Sequence, residues 1–219
     1  MIQQDSHPLF SLMNHPNASK FFLFLLSDAP SIPSQYFHPW EEKLLAPAMM
    51  TNEAGELVST SKKNNETRKS ELRQFLKEDI LKAVEQHAGD LVMTKTGGKI
   101  LVEVLKNWDS CAASILTGIE SNGLEIFDHP IGFRSVKNLL LSKHPGGLPA
   151  AFWGKYSDRI SEGLLNSSRG AFVVTALVES SSDAAANLKK DKALKKLLKQ
   201  KIKNEKFVKG YEVLSGKLT

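Results

Sequence analysis

Apolar positions in HPIGFRSVKNLL, residues 129–140, recur a helical turn apart: counted from Gly132 they are Val136 at offset four, then Leu139 and Leu140 at seven and eight. A stripe with that spacing lines one face of an α-helix. The same offsets recur from Gly97 as Leu101, Val104 and Leu105, and from Gly170 as Val174, Leu177 and Val178. In HPNASKFFLFLL, residues 15–26, counting from Ala18 gives Phe22, Leu25 and Leu26. The three glycines stand 35 and 38 residues apart, and a weaker copy in EKFVKGYEVL, anchored near Lys206 after a step of 36, brings Val213 and Leu214 to the leucine positions. One such match describes any amphipathic helix, whereas regular recurrence marks a repeat array. Helical material also lies between the anchors, at Ala112 to Ile119 and Pro149 to Leu165. Each unit is too small to bury its apolar face alone and has to stack on its neighbours. The predicted fold is therefore all-α, an α-solenoid.

The step from Ala18 to Gly97 is 79 residues, too long for one unit, and within it TNEAGELVSTSKKNNETRK, residues 51–69, is almost devoid of large apolar residues. That stretch reads as a loop or flexible insertion. It divides the chain into an N-terminal repeat portion, 1–50, the polar insertion, 51–69, and a repeat region, 70–219, that ends in a lysine-rich helix. Whether 38–65 hides a degenerate repeat stays open. The long helix that follows carries Leu72, Phe75, Leu76, Ile80, Ala83, Val84 and His87 on one side, and Gly89 is placed to stop it as a left-handed cap. From Ala184 to Ile202, the residues Leu188, Leu194, Leu197, Leu198 and Ile202 share one face, predicting a docked terminal helix with a cationic exterior.

Composition narrows the function classes. The 219 residues are 41% hydrophobic and 24% charged, enough to bury a core. No cationic region precedes an apolar one at the N-terminus, and the longest apolar run, Phe21 to Leu26, is far short of the roughly 20 residues of a membrane span, so the expectation is a chain neither secreted nor membrane-bound. The single cysteine, Cys111, excludes an internal disulfide and reads as a buried apolar filler in a reducing compartment. Net charge is +5, but residues 189–219 hold 11 lysines against Asp191, Glu205 and Glu212; that local +8 leaves the rest of the chain at −3. Such a basic end suits phosphate attraction or nuclear import.

Enzymatic readings find no support. TKTGGK, residues 94–99, lacks the Ser or Thr after its lysine and the earlier glycine of a phosphate-binding loop, and it follows no strand. The six histidines show no metal spacing; His15, His38 and His129 each precede proline, and His15 and His129 share a repeat offset that suits a helix entrance. No nucleophile with its base, and no carboxylate pair, stands apart from ordinary helix surface. No cofactor is expected.

A repeat near 36 residues, with a glycine opening its second helix and a V-x-x-L-L stripe, resembles the Pumilio (PUF) repeat. HPNASKFFLFLL, the polar insertion, ELRQFLKEDILKAVEQHAGDLV, VMTKTGGKILVEVL, DHPIGFRSVKNLL, SSRGAFVVTALVES and the lysine-rich end together resemble the nucleolar Puf-A-type branch over roughly residues 12–219. Full members of that group are longer, so the resemblance implies a C-terminal portion. Nothing before Leu9 looks like a polar capping repeat, and the array is expected to start mid-solenoid.

In PUF proteins that read RNA, each second helix presents two or three side chains to one base. The family pattern puts the edge-reading pair at offsets one and five from the anchor and the stacking residue at offset two. Here the pairs are Ser19 with Leu23, Gly98 with Val102, Phe133 with Lys137, and Ala171 with Thr175, none a matched donor and acceptor set. The stacking offset holds Lys20, Lys99, Arg134 and Phe172, with Lys137 and Arg169 nearby. Cations in repeat register form a ridge that contacts phosphates without reading sequence. The expected partner is RNA, either pre-rRNA or structured nucleic acid generally, with DNA possible on the same chemistry. The resemblance further implies a nucleolar location, large-subunit ribosome assembly, assembly-factor partners, and a monomer within a larger particle. The alternative is a protein-binding scaffold in which Leu23, Val102 and Phe133 belong to a partner groove.

Overall fold

The stripe residues meet in one layer of helices. A computed structural model describes residues 8–27, 36–41, 48–60, 63–142 and 147–219. Within them run α1 (Pro8–Asn14), α2 (Ser19–Leu26), the strands β1 (Met49–Thr51) and β2 (Leu57–Ser59), and then α3 (Asn65–Val92), α4 (Lys95–Asn107) and α5 (Ala112–Ser121). They are followed by α6 (Gly132–Leu140), α7 (Leu148–Tyr156), α8 (Ser168–Ser180), α9 (Ser182–Lys190), α10 (Lys192–Asn204) and α11 (Lys209–Leu218). Helices α2, α4, α6, α8 and α11 lie side by side in that order, while α1, α3, α5 and α7 form the layer behind them. All the stripe residues counted from Ala18, Gly97, Gly132 and Gly170 are buried, and all but Leu25 belong to one apolar core running from Met13 to Leu218. The fold is an α-solenoid, as predicted.

The second helices α2, α4, α6 and α8 open in the same way. The residue three before the anchor accepts the anchor's backbone N–H: His15 Nδ1 from Ala18, Thr94 Oγ1 from Gly97, His129 Nδ1 from Gly132, and Ser167 Oγ from Gly170, all at 3.1 Å. These are helix N-caps. The imidazoles at His15 and His129 thus do the work of a Thr or Ser, which sharpens the helix-entrance reading. The anchors are glycine because a Cβ at Gly97 or Gly170 would run into the carbonyl oxygen of Leu91 or Leu164, and at Gly132 it would lie 2.8 Å from that of Ile126.

Several elements differ from expectation. Of the N-terminal portion, 1–7, 28–35 and 42–47 lie outside the described residues, as do 61–62 of the insertion. The remainder of 51–69 is structured: β1 and β2 pair antiparallel in the register Met49↔Ser59, Met50↔Val58, Thr51↔Leu57, and Asn52 Oδ1 accepts from the N–H of Ala54 and Glu56 to close the turn at Gly55, φ +82°. Helix α3 begins at Asn65, not 70, with Asn64 Oδ1 accepting from the Thr67 N–H at 2.7 Å. Lys69, assigned to the insertion, is buried; its ammonium donates to the Ser27 carbonyl at 2.8 Å. Arg73 donates to Leu25 O and Asn107 to Leu26 O, so the carbonyl end of α2 is held by side chains from α3 and α4.

Gly89 does not end α3, which continues to Val92 with a kink at His87 (φ −130°, ψ 15°), whose ring stacks on Phe10 at 4.3 Å. The glycine instead permits close crossing of α5: a Cβ on Gly89 would sit 2.7 Å from Ser121 Oγ, and one on Gly118 2.6 Å from Ala88 Cβ. Leu72 and Phe75 are exposed, because in the first turns of α3 it is Lys69 and Arg73 that take the side facing α2. The terminal helix is two helices, broken at Asp191, whose Oδ1 accepts from the Leu194 N–H at 2.9 Å. Leu188, Leu194 and Leu198 are nevertheless buried, with Leu197 and Ile202 packed against the core. The last repeat is anchored at Gly210, not near Lys206, which precedes α11; from Gly210 the buried residues Leu214 and Leu218 fall at offsets four and eight.

Gly170→Ala drives a methyl into backbone and is expected to lower stability by about 2 kcal/mol or more. Gly154→Ala, at a helical site where an added Cβ meets nothing within 4 Å, is expected to raise it by up to about 1 kcal/mol. Urea unfolding midpoints at unchanged slope measure both.

Candidate nucleic-acid interface

The second-helix layer presents its offset-two residues outward, and the four of them differ in freedom. Lys20, on α2, is ion-paired with Glu41, which also accepts from the His38 N–H at 2.9 Å. The Lys20 hydrogen bond, then the His38 N–H, holds the Glu41 carboxyl below the usual carboxylate range. Lys99, on α4, is exposed with its ammonium 5.6 Å from the Tyr36 ring centroid. Arg134, on α6, is exposed with its guanidinium 5.5 Å from the Phe133 ring. Phe172, on α8, is half-buried and 6.4 Å from Phe133, at an interplanar angle of 30°. Arg134, Phe133 and Phe172 thus form one graded stack across two repeats. Among the described residues neither Lys99, Arg134 nor Lys137 has a carboxylate partner. Arg169 is engaged elsewhere: its Nη1 donates to Asp128 O at 2.8 Å and to Asp128 Oδ1 at 3.3 Å.

Tyr36, Glu41 and Glu103 are site residues that sequence reasoning missed. Glu103 is buried, accepts from the Tyr36 hydroxyl at 2.5 Å, and is paired with Lys106 at 2.8 Å. Segment 36–41 therefore lies against the first two repeats, with Tyr36 under one ridge cation and Glu41 on another. The i, i+3 spacing of Glu103 and Lys106 was a visible signal for that pair; nothing local pointed to Tyr36, 67 residues away in the chain.

At the edge-reading offsets the one polar group left without a partner among the described residues is the Lys137 ammonium. Ser19 and Thr175 are buried, and their hydroxyls donate to Pro16 O (3.3 Å) and Ala171 O (2.8 Å) of their own helix entrance or helix. Gly98 and Ala171 are buried without polar side chains, and Val102 and Phe133 pack against the core. Leu23, assigned to a partner groove in the scaffold reading, is 3% exposed and belongs to the core, so that groove loses its first member. No group of three potential metal ligands occurs among the described residues, and no described helix is long and apolar enough to cross a membrane.

Residues 14–144 match the model of the CPL (NUC119) domain, more than half of the chain. The chain belongs to the CPL (NUC119) family. It is a Puf-A-like, Pumilio-type protein: human Pumilio homolog 3 is 26% identical over 228 residues, covering 95% of this chain and 34% of the human protein. The crystal structure of human Puf-A in complex with DNA matches with a TM-score of 0.67 at 22% identity, over 95% of this chain and 40% of that one. The CPL chain thus spans between a third and two fifths of the relatives it matches, and the structural likeness establishes its fold.

The site generates a pH prediction through Tyr36. Burial, then the bond to Glu103, raises its phenol well above the ordinary value; burial also lifts Tyr156 to about 12 and raises Tyr211. All three tyrosines of the chain therefore favour the protonated native state. Stability from this source is complete below the unfolded value of about 10 and is lost as pH rises through the folded values. Ultraviolet absorbance should show little phenolate in the native protein near pH 10 and its full appearance there after denaturation.

Proposed function

We propose that this chain is a non-catalytic nucleic-acid-binding module that holds RNA, or structured nucleic acid generally, by its phosphate backbone with little dependence on sequence. The observation that carries the reading is the placement of Lys99 and Arg134 at one repeat offset on adjacent helices, exposed and without carboxylate partners among the described residues, with Lys137 beside them. Exposed cations in register suit phosphates spaced along a strand. The edge-reading offsets supply one free donor, the Lys137 ammonium, and no donor and acceptor pair, which supports backbone contact over base readout. Phe133 and Phe172 add flat apolar surface, and Arg134 can stack on a base as well as meet a phosphate. Lys20 and Arg169 join only after giving up Glu41 and Asp128. The likeness to a Puf-A structure determined with DNA supports nucleic acid as the ligand class. Family membership supports a nucleolar place in large-subunit ribosome assembly and pre-rRNA processing, beside assembly-factor partners.

Filter binding with unrelated single-stranded RNAs at two salt concentrations tests this. Tight binding that collapses with salt is expected; no binding at low salt overturns it. Replacing Lys99, Arg134 and Lys137 together by alanine should weaken all the RNAs alike and reduce the log–log salt slope by about 2. A loss confined to one sequence contradicts phosphate contact. Glu41→Gln frees Lys20 and is expected to raise low-salt affinity by up to about fivefold, more than Glu53→Gln does in the exposed hairpin turn.

A further inference from the structure

The last repeat breaks the entrance rule of the others. Three residues before Gly210, where His15, Thr94, His129 and Ser167 supply a cap in their repeats, stands Phe207, which has no acceptor. The Gly210 N–H donates instead to Ser168 Oγ of the preceding repeat at 2.9 Å, and α11 has no side-chain cap of its own. An apolar residue just outside a helix commonly packs on the fourth residue within it. Here that partner is Glu212, and Phe207 remains 75% exposed. The ring therefore contributes neither a cap nor a staple.

Its surroundings are cationic. Lys206 places its ammonium 5.8 Å from the Phe207 centroid, and Lys203 and Lys209, also exposed, flank it in the chain. Of the nearest carboxylates, Glu205 is paired with Lys201 at 3.1 Å. These residues belong to the stretch that holds the chain's excess of positive charge. A ligand suited to this place offers a flat π-face and closely spaced negative charges together. An acidic peptide brings the charges without obligatory planes; a duplex keeps its planes stacked inside.

We propose that Phe207, with Lys203, Lys206 and Lys209, forms a nucleobase-stacking site for single-stranded nucleic acid at the end of the repeat array. One unstacked base lies on the ring while the flanking phosphates meet the lysines. The proposal rests on the nucleic-acid reading above and extends it from backbone contact to base stacking at a residue outside the second-helix ridge.

The test uses the full chain with an oligouridine strand and a fully paired RNA duplex of equal length, at low salt. Phe207→Ala should weaken the single strand by roughly 5- to 100-fold and leave the duplex within about twofold; Phe207→Trp should retain the strand and show more fluorescence quenching on binding than the wild type, whose tryptophans lie elsewhere. Unchanged thermal unfolding of both variants shows that the turn has not been disturbed. Binding of the wild type with no loss in Phe207→Ala, or equal losses on strand and duplex, overturns the stacking site and leaves the phosphate ridge standing. Failure of the wild type to bind either RNA overturns both.

Discussion

The close approach of an anchor glycine to the carbonyl six residues before it sets the geometry of each repeat. Gly97 meets Leu91, Gly132 meets Ile126 and Gly170 meets Leu164, and in all three no Cβ fits without moving backbone. Because peptide groups cannot yield as a flexible side chain can, the second helix can start in only one position relative to the preceding turn. The cap three residues earlier and the stripe four, seven and eight residues later then fall into place together. The first repeat holds Ala18 at this point and keeps the same cap through His15, so hydrogen bonding sustains the entrance even with a methyl present. In that layer α2, α4, α6 and α8 stack in order because each of them begins alike.

That constraint explains which parts of the fold could be read from the chain. A glycine followed by a fixed set of apolar offsets is a local statement, and its recurrence predicted the solenoid, the buried stripes and the two His-Pro entrances. The errors arose where one residue type serves two purposes. Gly89 has the letter of a helix stop but acts as a crossing point for α5, a role that depends on Gly118 about thirty residues away. Leu72 and Phe75 lie off the side of α3 on which Lys69 and Arg73 meet α2, and periodicity records an apolar face without recording what covers it. Lys69 looked like solvated insertion, although its reach to the Ser27 carbonyl makes it part of the first repeat's packing. Anchoring the last copy near Lys206 failed because the stripe there is incomplete and the step to Gly210, 40 residues, is longer than the two between the preceding glycines.

The site was legible as an offset and illegible as electrostatics. Lys20, Lys99 and Arg134 occupy equivalent positions, yet one is neutralised by Glu41, one rests on Tyr36, and one lies over Phe133. Two of these partners come from segment 36–41, which no repeat alignment connects to the ridge. Glu41 is nearly covered and Lys20 half-buried, so Lys20 meets a polyanion only by leaving a part-buried carboxylate. Buried Glu103 is different: removed from water, it needs both Tyr36 and Lys106, and through them it fixes the surface beneath Lys99.

On the proposed reading, loss of a base code follows from packing as much as from residue choice. The only hydroxyls at edge-reading offsets, Ser19 and Thr175, each donate to a carbonyl three or four residues back, and both side chains are buried. A hydroxyl has one proton, and once that proton is committed to the helix the group can only accept. Mutation of neighbouring surface positions would not free these hydroxyls, because the backbone entering the second helix keeps Ser19 and Thr175 inside. What remains outside is charge from lysine and arginine together with aromatic surface. Charge responds to the presence of a backbone, and an exposed ring responds to whether a base is free to leave its stack. A surface built from those two elements distinguishes paired from unpaired strands before it distinguishes one sequence from another.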